Sequence, residues 1–141
     1  MVPTLEWPDL ACYLLWVALG SAAGGVARVA LSALIARAVG ETFPWGTISV
    51  NATGALAIGS LAAVVDAGLL GGWSSLWPLL AVGFLGSYTT VSSFSLQTLS
   101  LLHQRELLRA GGNVLLTLAL CLGGVASGYL AMGLALGVPL A

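Results

Sequence analysis

Charged residues are scarce in this sequence. Of its 141 residues only 6% are charged, lysine is absent, and histidine occurs once, whereas about a quarter of an ordinary soluble domain is charged. The formal net charge is −1, so the chain lacks the basic patch that nucleic-acid binding requires. It also offers no histidine-rich metal spacing and no activated nucleophile pair, so nothing in the sequence supports an enzyme.

Apolar sequence takes the place of charge. Hydrophobic residues make up 59% of the chain, and the mean hydropathy is +1.04. A helix that spans a bilayer needs about 20 apolar residues, and the few charges divide the chain into segments of that scale. We predict an all-α membrane protein, multi-pass in the cell membrane, with one four-helix domain over residues 1–141. Its predicted spans are 10–37, 45–65, 76–103 and 112–136.

Glycines recur at four-residue spacing in the first and last spans. Gly20 and Gly24 form one such pair, and Gly124 and Gly128 form another. Small residues at this spacing let a second helix backbone approach closely. We therefore expect both pairs to be helix-packing surfaces.

One segment inside the third span differs from the rest. Residues 83–95 contain two glycines, six serines or threonines and three aromatic residues. In hydrocarbon, such polar or non-helical backbone is tolerated only where protein or a water-filled cavity surrounds it. The span is also longer than one crossing requires, which fits two half-helices joined by a break at residues 86–90, an arrangement that transporters use to place carbonyls on ions. We expect an ion or a small polar solute here.

Four further polar residues interrupt the apolar spans. Arg28 is ionisable and lies within a span, which indicates function or an internal partner, although a long basic side chain can also extend to the membrane interface. Asn51 either bonds to a neighbouring helix or donates to a permeating anion. Asn113 and Thr117 share one helix face, where they either extend a polar track or bond to neighbouring helices.

Three motifs together resemble the small fluoride channel family known as Fluc or CrcB. They are Gly24-Gly25-Val26-Ala27-Arg28, the run PWGTISVNATG from Pro44 to Gly54, and Gly83-Phe84-Leu85-Gly86 followed by TTVSSFS from Thr89 to Ser95. The resemblance covers all four spans in the same order. It implies an antiparallel dimer with two narrow pores, which exports fluoride passively from a prokaryotic cytoplasm and so lowers fluoride toxicity.

The resemblance also implies a structural sodium ion at the dimer centre. The backbone carbonyls of Gly86 and Thr89 would hold it. Because main-chain oxygens suit a hard cation, the change of side chain at Ser87 and Tyr88 need not abolish the site.

Along the fluoride path, the resemblance makes Asn51 a hydrogen-bond donor and Phe94 one of two paired phenylalanines. The edge of an aromatic ring carries positive quadrupole charge, so it can replace part of the water around a small anion. Thr90 and Ser93 supply hydroxyl donors nearby. Val91 stands where the family usually has the first pore phenylalanine, and it leaves the pore with half of its aromatic lining.

The arginines bear on the identity of the second subunit. With four spans, Arg37, Arg105 and Arg109 fall in the two loops on one side of the membrane, and the loop and termini on the other side contain no basic residue. Since membrane orientation follows such an asymmetry, a chain that inserts both ways should show little of it. The partner is either a second copy of this chain or a related subunit of opposite orientation, which would retain the complete aromatic pair for one pore.

A small four-helix protein also resembles, in outline, the small multidrug exporters. Those transporters exchange protons for cationic drugs through a membrane-embedded carboxylate. At the position after the polar motif where fluoride channels commonly have a carboxylate, this chain has Gln97, which is a departure from that family's pattern and supplies no carboxylate for proton exchange either. Its acidic residues fall at span ends or in loops: Glu6, Asp9, Glu41, Asp66 and Glu106. The cation exporter is therefore less favoured, and so is a non-transporting scaffold, which would not need an asparagine, a glycine break and a phenylalanine together.

Overall fold

The computed structural model describes residues 7–70 and 76–138, and these residues form helices without a strand. In chain order they are α1 (Trp7–Val39), α2 (Trp45–Asp66), a π-helical segment (Pro78–Leu85), a single turn α3 (Gly86–Tyr88), α4 (Val91–His103) and α5 (Leu107–Leu136). Counting Pro78–His103 as one span, four helices are long and apolar enough to cross a membrane. The predicted all-α, four-span architecture is confirmed.

The acidic residues of the described chain lie at helix ends or between helices. Asp9 is in the first turn of α1, Glu41 lies between α1 and α2, Asp66 ends α2, and Glu106 precedes α5. Glu6 lies outside the described residues. No carboxylate therefore sits in the interior of a described span, which agrees with the argument against a drug exporter.

Helix α5 begins at Leu107, earlier than the predicted residue 112. Arg109, in its first turn, donates to the carboxylate of Glu106 with an Nη1–Oε2 distance of 2.7 Å. A carboxylate at this end also interacts favourably with the helix dipole. These charges belong to the start of the helix, so the connection from α4 is only residues 104–106, where Arg105 adopts a left-handed φ of 60°.

The third span is interrupted at Thr89 and Thr90, within the predicted window. Both residues are extended, with φ/ψ of −80°/159° at Thr89 and −151°/122° at Thr90. The Thr90 hydroxyl then accepts the backbone N–H of Ser93 at 3.2 Å. Such a side-chain acceptor at the N-cap satisfies an amide that has no intrahelical partner. The predicted pair of half-helices is confirmed.

The glycine pairs bring helix backbones into direct contact. A Cβ atom added at Gly20 or Gly24 would overlap carbonyl oxygens of the π-helical segment. In α5, a Cβ at Gly124 would lie 3.1 Å from the carbonyl oxygen of Ala52, and one at Gly128 would overlap another carbonyl oxygen of α2. Both pairs are therefore packing surfaces, with α1 against the π-helical segment and α5 against α2.

Substitution of Gly128 by alanine should destabilise the fold, since the added methyl group meets backbone that cannot rotate away. Overpacking of this kind costs about 1–3 kcal/mol. Gly123, in the same helix, is the matched control, because a Cβ there has no neighbour within 4 Å. Gly123→Ala should leave stability unchanged or raise it by up to about 1 kcal/mol, as alanine is the better helix former. Thermal unfolding in detergent measures both, and an equal effect of the two substitutions would contradict the packing account.

Candidate functional site

The side chain of Asn51 bridges α2 to the interruption of the third span. Its Nδ2 donates to the carbonyl oxygen of Thr90 at 2.9 Å, and the backbone N–H of Thr90 donates to its Oδ1 at 2.8 Å. Asn51 is 9% exposed. The interhelical bond that the sequence left as one alternative is therefore formed. An asparagine amide has two N–H donors, so one donor remains beyond the bond to Thr90.

Several carbonyl groups at the break have lost their helical donors, and those of Gly86 and Thr89 are two of them. In an α-helix the carbonyl of Gly86 would accept from the N–H of Thr90, and that of Thr89 from the N–H of Ser93. Here the first amide donates to Asn51 and the second to the Thr90 hydroxyl. Within the described chain, neither carbonyl oxygen therefore accepts the backbone N–H that it would accept in a continuous helix.

Two cavities, each of about 700 Å³, adjoin the break. We call the first the polar vestibule; its lining includes Arg28, Ser32, Glu41, Thr90, Ser93 and Gln97. We call the second the groove; its lining includes Asn51, Gly86, Thr89, Val91, Phe94 and Thr117. Thr90 also lines the groove. The interruption of the third span is therefore where the two cavities adjoin.

The predicted site residues divide between these cavities. Arg28 and Ser93 line the vestibule, where Arg28 is partly buried rather than extended into open solvent. Phe94 and Thr117 line the groove, and the Thr117 hydroxyl is buried with no hydrogen-bond partner among the described residues. Val91 lies at the groove and is 76% exposed. The groove thus combines an aromatic ring with unpaired polar groups.

Asn113 lines neither cavity in the described chain. It is 1% exposed, and its Nδ2 donates to the hydroxyl of Thr98 at 2.8 Å. That hydroxyl in turn donates to the backbone carbonyl oxygen of Phe94 at 2.8 Å. Asn113 therefore bonds α5 to α4 beneath the aromatic residue, as one of its two predicted roles required. Thr98 was missed from the sequence, although it lies one helical turn after Phe94.

Tyr88 packs against α2 and lines neither cavity in the described chain. Its ring stacks on that of Phe84, with centroids 5.7 Å apart and an interplanar angle of 10°. Its hydroxyl is 2.8 Å from that of Thr53. A Cβ at Gly54 would overlap the methyl group of Thr89 and lie 3.3 Å from the Tyr88 ring, so the absence of a side chain there lets both residues approach α2. Tyr88 and Thr53 fix the turn that precedes the break.

Comparison with known proteins gives one family. The family model described as "CrcB-like protein, Camphor Resistance (CrcB)" matches residues 15–129. A protein of Rhodopseudomonas palustris named fluoride-specific ion channel FluC 2 is 54% identical over 120 residues, which cover 84% of this chain and 91% of that protein.

Two other relatives agree. A FluC 2 of Bradyrhizobium diazoefficiens is 47% identical over 115 residues, covering 81% of this chain and 84% of its own length. A FluC of Opitutus terrae is 48% identical over 119 residues, covering 83% of this chain and 89% of its own length. With the family model matching most of the sequence and these relatives aligned over four-fifths of it, the chain belongs to the CrcB family.

Proposed function

We propose that this protein is a passive, fluoride-selective channel that exports fluoride across the cytoplasmic membrane and so lowers its toxicity in the cell. The observation that carries the proposal is the groove, where Phe94, Thr117 and Asn51 line one cavity beside the break in the third span. The names of the relatives support the choice of ion.

The groove offers a small anion replacements for water. The second N–H of Asn51 and the hydroxyl of Thr117 are donors, and the positive edge of the Phe94 ring adds an electrostatic partner. Two hydrogen-bond donors and one ring edge can surround only a small ion. They therefore favour a small anion that accepts strong hydrogen bonds.

The vestibule concentrates the anion before it enters. Arg28 and Glu41 both line it, so the attraction for an anion is local to the guanidinium of Arg28, which raises the anion concentration beside it. Residues of the connection between α1 and α2 also line this cavity, Glu41 and Pro44 among them. The vestibule therefore opens on the side of the membrane where Arg37 ends α1.

A sodium ion is proposed at the break. The carbonyl oxygens of Gly86 and Thr89 lack their helical donors, and both residues line the same groove. Oxygen ligands of this kind suit a hard cation, so the residues fit the ion. When bound, sodium would supply positive charge that satisfies these carbonyls and joins the subunits.

The active assembly is proposed to be an antiparallel dimer. Helix α4 has one buried residue, Leu101, while Ser92 and Ser95 on the same helix are exposed. Lipid tails offer no hydrogen-bond partners to exposed hydroxyl groups or to the polar groups that line an open groove. A second subunit over this face would enclose the groove and bring two breaks together.

A related chain as the second subunit is the alternative assembly. Val91 leaves the groove with the single ring of Phe94, and a partner with both phenylalanines would complete one pore. The numbered names of two relatives, each FluC 2, fit organisms with more than one such chain. A second copy of this chain remains our first choice, because it needs no further component.

Growth in fluoride tests the proposal in cells. Expression in a bacterium that lacks its own fluoride exporters should restore growth at fluoride concentrations that stop cells with an empty vector. Restoration should be specific, so equal concentrations of chloride or bromide should leave both strains alike. Membrane-inserted protein without any gain in fluoride tolerance would contradict the function of this chain acting alone.

A further inference from the structure

The break leaves the carbonyl groups of residues 86–89 without helical donors, and side chains give two of the corresponding amides another acceptor. Two backbone amides at the break donate to side chains and not to helical carbonyls. The N–H of Thr90 donates to Asn51 Oδ1 at 2.8 Å, and the N–H of Ser93 donates to the Thr90 hydroxyl at 3.2 Å. The two carbonyls released in this way belong to Gly86 and Thr89. Both residues line the groove, whereas Ser87 and Tyr88 between them do not line either cavity in the described chain.

We infer that Asn51 and Thr90 are positioning residues for the bound cation. The inference rests on the proposed sodium site. Asn51 has so far been assigned to the anion, yet two of its hydrogen-bonding positions are used on the backbone of Thr90. Its Oδ1 keeps the Thr90 amide away from Gly86, and the Thr90 hydroxyl keeps the Ser93 amide away from Thr89. A cation at these carbonyls therefore depends on side chains that do not ligate it.

Burial stabilises these two hydrogen bonds. Asn51 is 9% and Thr90 8% exposed, so water does not compete strongly for these bonds, and a buried polar group left unpaired is costly. If either side-chain acceptor were removed, the released amide would be buried without a partner, and a helical bond to the carbonyl four residues earlier would satisfy it. The break would then close locally, and a cation ligand would be consumed.

Sodium-dependent stability of the purified protein tests the inference. The unfolding temperature is recorded against sodium concentration at constant ionic strength, with N-methylglucamine as the replacement cation, because a ligand that binds only the folded state raises stability with its concentration. Thr90→Val removes the hydroxyl and keeps the shape, and Thr90→Ser keeps the hydroxyl. We expect Thr90→Val and Asn51→Leu to weaken the apparent sodium affinity roughly tenfold, equivalent to one hydrogen bond, and Thr90→Ser to match the parent.

The readout separates positioning from simple stability. Loss of the N-cap alone lowers the unfolding temperature equally at every sodium concentration. Loss of a carbonyl ligand raises the sodium concentration at which half of the stabilisation is reached. A parent that responds to sodium and a Thr90→Val variant with the same midpoint would overturn the inference alone. A parent that shows no response to sodium would overturn the sodium site and the inference, and fluoride transport by that same preparation would show that the channel proposal survives. If Thr90→Val does not fold, Asn51→Leu gives the same comparison.

Discussion

Replacing Phe94 by leucine should reduce fluoride efflux from proteoliposomes roughly ten- to a hundredfold, since an ion that loses one partner after dehydration is destabilised by about 1–3 kcal/mol. Leucine fills similar space but has no quadrupole edge to face an anion. Val91 supplies no ring either, so the described groove has no second aromatic side chain to take over. The effect should therefore be larger than in a pore with two rings.

Phe84→Leu is the matched control for this substitution. Phe84 lines neither cavity in the described chain, and its ring stacks on Tyr88. Its replacement should lower stability while fluoride efflux per unit of folded protein stays within about twofold of the parent, because no partner of the ion is removed. Equal losses in the two variants would show that aromatic packing, and not the ring at the groove, sets the rate.

The orientation of the chain in the membrane should be strongly biased. Arg37 is in the last turn of α1, Arg109 is in the first turn of α5, and Arg105 lies between α4 and α5, so all three lie on one side. Basic residues in short loops are retained in the cytoplasm. Alkaline phosphatase fused to the C-terminus should therefore be strongly active outside the cytoplasmic membrane, and green fluorescent protein fused at the same point should be only weakly fluorescent, from the minority of chains in the opposite orientation that an antiparallel dimer of two copies requires.

Neutralising the three arginines tests the cause of the bias. Exchange of Arg37, Arg105 and Arg109 for glutamine should give a mixed population in which both reporters are active. The exchange of Arg28 alone is the control, because this residue lines the vestibule within α1 and lies outside the loops that determine orientation. Equal activity of both reporters in the parent would contradict the bias. It would also favour a dimer of two copies, since the chain would then supply both orientations.

Much of the fold could be predicted because it depends on local composition. The spans follow from runs of apolar residues, and the break follows from a glycine and two threonines in a segment that is too polar for lipid. The predicted start of α5 was wrong because Glu106 and Arg109 were assigned to a loop. In the structure they bond to each other at the first turn of the helix. A charged pair one turn apart stabilises a helix end, and that signal was present in the sequence.

The internal bonds of the site could be predicted less well, because they depend on which side chains meet across helices. The choice between a helix bond and an ion donor at Asn51 could not be made without the position of Thr90, which the structure places at 2.8–2.9 Å. The bonds from Asn113 to Thr98, and from Tyr88 to Thr53, likewise join residues on different helices. No periodicity within one helix encodes such pairings.

Ion efflux from liposomes shows directly whether this chain conducts fluoride. The purified chain is reconstituted alone into vesicles loaded with potassium fluoride or potassium chloride, valinomycin is added to carry potassium, and ion-selective electrodes record the released halide. We expect rapid fluoride efflux with negligible chloride efflux. Chloride release as fast as fluoride would contradict selectivity, and the absence of any efflux from a folded dimer would contradict a channel made by this chain alone.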